Sequence, residues 1–205
     1  MNKQIKITDT GINNKIHISK DLLIVSDHLL KIEIKGNNNV ISIGNKLKLR
    51  NTLIFINGND NTLTVKDYCS FSGSISLIHN SNNITIGNNC IFKKTEIRCE
   101  YGCNLTIGDS CVFEKNTYIR TGDSHSIISI ETRKRLNNCD SVFIGNHVLC
   151  FQNSSIFKGS YISNDSVIAS NSLVNKKFTE ANILLVGTPA KIKKQNINWL
   201  YKREF

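Results

Sequence analysis

The 205-residue sequence predicts an all-β parallel solenoid of three-sided coils, formed as one domain over residues 1–205. Three observations carry that expectation. An aliphatic residue or a cysteine returns at every sixth position from Ile144 to Val174. The dipeptide Ile-Gly, followed by Asn or Asp, occurs at 43, 86, 107 and 144. Short Asn clusters such as Asn37-Asn38-Asn39 punctuate a chain that holds one proline. Fixed-period self-similarity is the mark of a stacked repeat. Asn suits tight turns between short strands, because it tolerates left-handed backbone and its amide bonds the local chain.

Taken in order, residues 1–35 show no register and read as a cap or as further strands. From Asn37 to Thr85, short apolar runs (Thr52 to Ile56, Thr62 to Val65, Ile75 to Ile78) alternate with Asn, Gly and Asp turns. Residues 1–80 are therefore read as irregular coils beneath the regular ones. Residues 81–190 form the repeat proper. Its clearest register is Ile144, Cys150, Ile156, Ile162, Ile168 and Val174, with Val148, Ser154, Ser160, Ser166 and Ser172 four places after the first five. About three such hexads close one coil, stacking the first residue inward on its counterparts. The fifth lies near a corner, where only a small side chain fits. A sandwich of alternating strands fits worse, since Ile156-Phe157-Lys158-Gly159-Ser160-Tyr161 does not alternate.

The register lapses after Ile119 and resumes at Val142. Because the next coil must still close, the segment near 120–141 has to leave the stack as a loop, and loops on a rigid scaffold are where function concentrates. Residues 191–205 make a basic tail or short helix, with Trp199 and Tyr201 packing it onto the last coil.

The formal charge is +10, and residues 175–205 hold seven cations (Lys176, Lys177, Lys191, Lys193, Lys194, Lys202, Arg203) against Glu180 and Glu204. Such a patch suits a phosphorylated cofactor, an acidic polymer or a membrane surface, or serves as a solvated tail. No nucleic-acid module accompanies the charge, so no nucleic-acid partner is expected. No apolar run reaches spanning length and no signal region opens the chain, which leads to a cytoplasmic expectation. The seven cysteines lack zinc-site spacing and read as buried thiols, with Cys111 and Cys150 in the core. His17, His28, His79 and His147 show no ligand spacing, and no metal is expected.

Three segments carry a family resemblance. They are Ile119-Arg120-Thr121-Gly122-Asp123-Ser124-His125-Ser126-Ile127, Ile144-Gly145-Asn146-His147-Val148, and Val186-Gly187-Thr188-Pro189-Ala190-Lys191-Ile192. With the hexads between them, the chain resembles the hexapeptide-repeat acetyltransferases, most of all the bacterial capsular polysaccharide O-acetyltransferases, including those acting on polysialic acid. The resemblance implies a left-handed β-helix, a homotrimer, and acetyl-CoA in a groove between protomers. It implies transfer of acetyl to a sugar hydroxyl of a surface polysaccharide, an anionic chain being favoured by the surplus positive charge. Leu149-Cys150-Phe151 departs from the family, which often places Trp, an aliphatic residue and Gly there.

Carried over by position, the cofactor contacts are Leu149, Ala169, Ser170, Lys176, Thr188, Lys191 and Lys194. Ala169 and Ser170 would meet the pantetheine arm through backbone groups, the lysines the phosphates, and Thr188 the adenine end. The chemistry needs a base, since a sugar hydroxyl is a very weak acid, and imidazole suits that task at neutral pH. His125 lies in the extruded loop and Asp123 two residues before it could orient the ring, so these are the expected catalytic pair. Arg120, Thr121, Arg133, Lys134 and Arg135 surround that loop and are the expected acceptor contacts. The alternatives are an N-acetyltransferase acting on a nucleotide amino-sugar, and a non-catalytic polysaccharide-binding solenoid.

Overall fold

The computed structural model describes residues 5–24 and 29–201. His28 and the charged residues Lys202, Arg203 and Glu204 lie outside them. Every regular element among the described residues is a strand. The strands stack in parallel as a three-sided coil. One side is an eight-stranded sheet running from Lys15–Ile18 to Lys177–Phe178. The other two sides merge into a fourteen-stranded sheet, because the strands Lys48–Asn57, Ser70–Ile78 and Ile91–Glu100 carry on around a corner. A register shift between Arg50 and Thr52, and again between Phe92 and Thr95, marks the bend.

The hexad register holds where it was read. Ile144, Cys150, Ile156, Ile162, Ile168 and Val174 are all 0% exposed, and the fifth-place residues Val148, Ser154, Ser160, Ser166 and Ser172 are buried at the corners. Corner hydrogen bonds measure the coil length directly. The amide of Asn146 donates to Asn164 Oδ1, 18 residues on, which is three hexads. Lower in the stack the same bond links Asn45 to Asp67 across 22 residues and Asn88 to Asp109 across 21. The lower part is thus not irregular: its coils are equally regular but longer. Residues near the N-terminus are further strands of the same stack, with Ile5–Asp9 paired to Leu30–Lys35 and Lys15–Ile18 to Val40–Ile43.

Inside, like residues stack on like. Phe71, Phe92 and Phe113 form a column with ring centroids 5.0 and 4.9 Å apart. Cys69, Cys90 and Cys111 occupy successive fifth places, each thiol 3.1 Å from a glycine carbonyl of the next coil. At another corner Asn39, Asn61 and Asn82 are buried in a ladder, in which the side-chain amide of Asn61 donates to Asn39 Oδ1 at 3.0 Å and that of Asn82 to Asn61 Oδ1 at 2.8 Å. Replacing Asn61 with Leu strands the buried Asn82 backbone amide, which donates to Asn61 Oδ1 at 2.9 Å, at about 1–3 kcal/mol. Chemical denaturation should show the loss, with no change in coil spacing.

Among the described residues the C-terminal segment forms no helix. Leu184–Val186 turns back as an antiparallel hairpin with Lys191–Lys194. The tail then descends a corner: Ile197 N–H donates to Asn182 O at 3.0 Å. Trp199 stacks on His147 at 4.2 Å and donates from Nε1 to the His147 carbonyl at 2.8 Å. Trp199 therefore clasps an inner coil, not the last one, and Tyr201 reaches the side of the lower coils near Lys48 and Lys115.

Candidate active site

The loop leaves the stack at one corner, between strand Tyr118–Arg120 and strand Val142–Ile144. Its footing is a buried acid. In the parallel ladder Arg98 lies beside Arg120, a like-charge pair that is unfavourable by itself. Glu100 sits between them, its side chain 0% exposed, with Oε1 2.9 Å from Arg98 Nε and Oε2 3.3 Å from the Arg120 guanidinium. A buried carboxylate persists only when paired and hydrogen-bonded. Here two cations and the Ser124 hydroxyl, 3.4 Å away, meet that need.

The chain then turns tightly over this acid. A Cβ on Gly122 would lie 2.9 Å from Glu100 Oε2 and 3.3 Å from Glu100 Cβ, so glycine is required by close approach. Arg120 Nε donates to the Gly122 carbonyl, and its other nitrogen to Ser124 Oγ at 3.0 Å. The Tyr101 hydroxyl donates to the Ser124 carbonyl at 3.0 Å, while Ser124 itself is left-handed at φ 62. His125 follows, its amide donating to the Asp123 carbonyl at 2.6 Å, and its side chain stands exposed. Among the described residues the imidazole has no hydrogen-bond partner.

A second clip closes the loop from the far side. The Asn137 side-chain amide donates to Asp123 Oδ2 at 3.0 Å and to the His125 carbonyl at 2.8 Å, and its oxygen accepts from Ile127 N–H at 2.7 Å. Lys158, from the same corner of the next coil, pairs with Asp123 Oδ2. From Ile127 to Leu136 the loop is a small hairpin, bridged at Ile128 and Arg135, that exposes Ile127, Ile128, Ile130 and Leu136.

Burial acts to raise the Asp123 carboxyl, but the bonds from Lys158 and Asn137 outweigh it and hold the group below its ordinary range. A carboxyl depressed on folding contributes fully above its unfolded value, about 3.9, and loses that contribution as pH falls through the folded value. Lys158→Ala should therefore speed amide hydrogen exchange across residues 123–137 at neutral pH. The wild-type loop should loosen similarly only in acid. The pair is partly exposed, so global stability should change by less than about 1 kcal/mol.

Several expected contacts belong to this scaffold instead. Thr121 is fully buried, and its hydroxyl accepts from the Glu100 amide at 2.8 Å, so it cannot face an acceptor. Arg120 is spent on Glu100, Gly122 and Ser124. Arg135 lies 4.7 Å over the Tyr101 ring and donates to Asn137 Oδ1 at 3.3 Å. Arg133 and Lys134 remain exposed at the hairpin. Asp123 does not hold the imidazole, since its carboxylate faces Lys158 and Asn137.

The expected cofactor residues do not form one cluster in the single chain. Leu149 is half-buried on strand Leu149–Cys150. Ala169 spends its amide on Leu185 O at 2.9 Å and its carbonyl on Ser154 Oγ at 2.9 Å, within the coil itself. Ser170 is exposed at the next turn, and Thr188 nearby donates to Asn171 O at 3.1 Å. Lys191 and Lys194 are exposed on the final hairpin. Lys176 projects from the loop's corner two coils up, 5.2 Å over Phe178. Cys150 and Cys111 are 0% exposed, and burial pushes the Cys150 thiol up to about 12, which removes them as nucleophiles. His147 is structural, 2.9 Å from Asp165 and stacked on Trp199. Glu100, Arg98, Tyr101, Asn137 and Lys158 were not expected from sequence. By alternation along Ile91–Glu100, with Ile97 and Cys99 inward, Glu100 falls on the outward face with Arg98, so nothing in the pattern signalled its burial.

No protein-family model matches the chain. It is 35% identical over 192 residues, 94% of its length and 88% of the relative's, to the polysialic acid O-acetyltransferase of Neisseria meningitidis. The crystal structure of the polysialic acid O-acetyltransferase OatWY superposes with a TM-score of 0.89 at 34% identity, covering 96% of this chain and 92% of that one. That of the polySia-specific acetyltransferase NeuO gives 0.88 at 27% identity, covering 100% and 92%. The coil is thus a left-handed β-helix, and the non-catalytic reading is excluded. The chain belongs to the family of polysialic acid O-acetyltransferases, acetyl-transferring enzymes built on the hexapeptide-repeat β-helix.

Proposed function

We propose that this enzyme moves an acetyl group from acetyl-CoA to a hydroxyl of an anionic capsular polysaccharide such as polysialic acid, with His125 as general base. The observation that carries this reading is an exposed imidazole, unpartnered among the described residues, between Ser124 and Asn137, which are pinned, and beside Asp123, which is pinned too. Rigid footing beneath a free ring is what a proton acceptor needs, because a misplacement of about 1 Å can cost about a hundredfold in rate.

In this mechanism the acceptor hydroxyl attacks the thioester carbonyl as His125 takes its proton. The tetrahedral species collapses, the carbon–sulfur bond breaks, and the departing thiolate receives the proton from the imidazolium. Asp123 contributes by fixing the loop through Lys158 and Asn137. Arg133 and Lys134 are free to meet an acidic chain, whereas Arg120, Thr121 and Arg135 support the loop. Ser170, Thr188, Lys191 and Lys194 offer exposed polar and cationic groups suited to a phosphorylated pantetheine carrier, with Lys176 above the loop.

A homotrimer completes the site in this reading. The exposed aliphatic hairpin of Ile127, Ile128, Ile130 and Leu136 (Ile130 is 88% exposed) suits burial against a neighbouring copy. Transfer of radiolabelled acetyl from acetyl-CoA should appear on polysialic acid or another acidic capsule. Acetylation of a nucleotide amino-sugar, with no polysaccharide labelled, would establish the N-acetyl alternative. No described helix is long and apolar enough to cross a membrane.

A further inference from the structure

A second feature lies at a different corner, the one where the long strands bend. Two adjoining recesses of about 460 and 510 Å³ run along it and share Arg50, Ser72 and Lys94. Lys48, Lys93 and Lys115 complete a basic wall. Lys93 is neutralised by Glu114 at 2.7 Å, and Glu96 is the other carboxylate lining this corner. Lys48, Arg50, Lys94 and Lys115 have no side-chain partner among the described residues. Lys48 and Arg50 share one strand, Lys94 lies two coils on and Lys115 one further, so at about 4.8 Å per coil these unmatched cations repel one another.

Their backbone is fixed. Lys94 is left-handed at φ 48, and its amide donates to Ser72 Oγ at 2.8 Å. Thr95, 1% exposed, lines the same place with an unpartnered hydroxyl. The strand that carries Lys94 also leads toward the catalytic loop, where Arg98 and Arg120 are engaged with Glu100. Lys94 and Arg98 share one strand, separated by roughly 13 Å at a rise near 3.3 Å per residue, and Lys115 and Arg120 lie on the next coil.

We infer that this corner is a non-catalytic track that holds a stretch of the anionic polymer while another stretch is acetylated at His125. The inference rests on the polysaccharide reading above. Lysines spaced along a stack act as point charges, each weak and additive, which suits a long chain of repeated carboxylates better than one small anion.

The test is the triple variant R50A/K94A/K115A, which leaves the loop and the final hairpin untouched. With long polysialic acid its KM should rise roughly tenfold. Values of kcat, KM for acetyl-CoA and KM for a short sialic acid oligomer should hold. Raising salt should weaken the wild type more than the variant. Equal losses on long and short acceptors, or no change on long ones, would overturn the inference. Binding of labelled polymer to H125A, with and without the triple change, reads the track without turnover. Absent wild-type transfer with intact, track-dependent binding would count against the catalytic reading alone. Polymer binding unaffected by the triple change, with binding of nucleic acid or anionic vesicles lost instead, would reject the track.

Discussion

His125→Ala should lower kcat by about 10²- to 10⁴-fold, the usual share of a general base, with the thermal midpoint unmoved. The two halves of that expectation come from one observation. The ring is exposed and unpartnered, so removing it opens no cavity and strands no polar group, and surface changes of that kind stay within about 0.5 kcal/mol. The loop backbone is held by Glu100, Arg120, Tyr101 and Asn137, none of which touches the imidazole. KM for acetyl-CoA should therefore change little. A loss confined to KM would point to binding, and a falling midpoint would make His125 part of the scaffold.

Glu100→Ala should do the opposite, costing fold and activity together. Its carboxylate is fully buried and compensates two arginines that face each other across adjacent coils. Removing it leaves Arg98 and Arg120 in mutual repulsion and frees the Ser124 turn, at about 3 kcal/mol. Arg120, 18% exposed, has little water to fall back on. Activity should drop with kcat and KM both affected, because the base and its surroundings move as one. Glu100→Gln should recover part of the fold but not the ion pairs. If Glu100→Ala unfolds like wild type, the buried acid is not the footing of the loop.

Much of this molecule was legible in its sequence, and the illegible parts share a cause. The upper coils are three hexads long, so Ile144 to Val174 declared itself. In the lower coils the strands bend through a corner with extra residues at Arg50–Thr52 and Phe92–Thr95, which stretches the period to 21 or 22 and blurs the sixfold reading. The loop was visible as a lapse in register, and its histidine with it. Its supports were not, because Lys158 and Asp123 lie 35 residues apart and Ser124 and Glu100 lie 24 apart, brought together only by stacking. Thr121 and Arg120 looked like acceptor contacts for the same reason: proximity to His125 in sequence does not say which side chains turn inward. The tail misled differently. Trp199 met an inner coil because the chain doubles back in the final hairpin, a reversal that Gly187 at φ 106 and the turn after it permit.

The most direct test of the central claim is a crystal structure of the assembled enzyme with a non-hydrolysable acetyl-CoA analogue and an acceptor oligosaccharide. The account predicts a His125 ring nitrogen about 3 Å from the acceptor hydroxyl, with the thioester carbonyl on the hydroxyl's other side. An imidazole turned away from both, or a thioester held at a different corner of the coil, would contradict it.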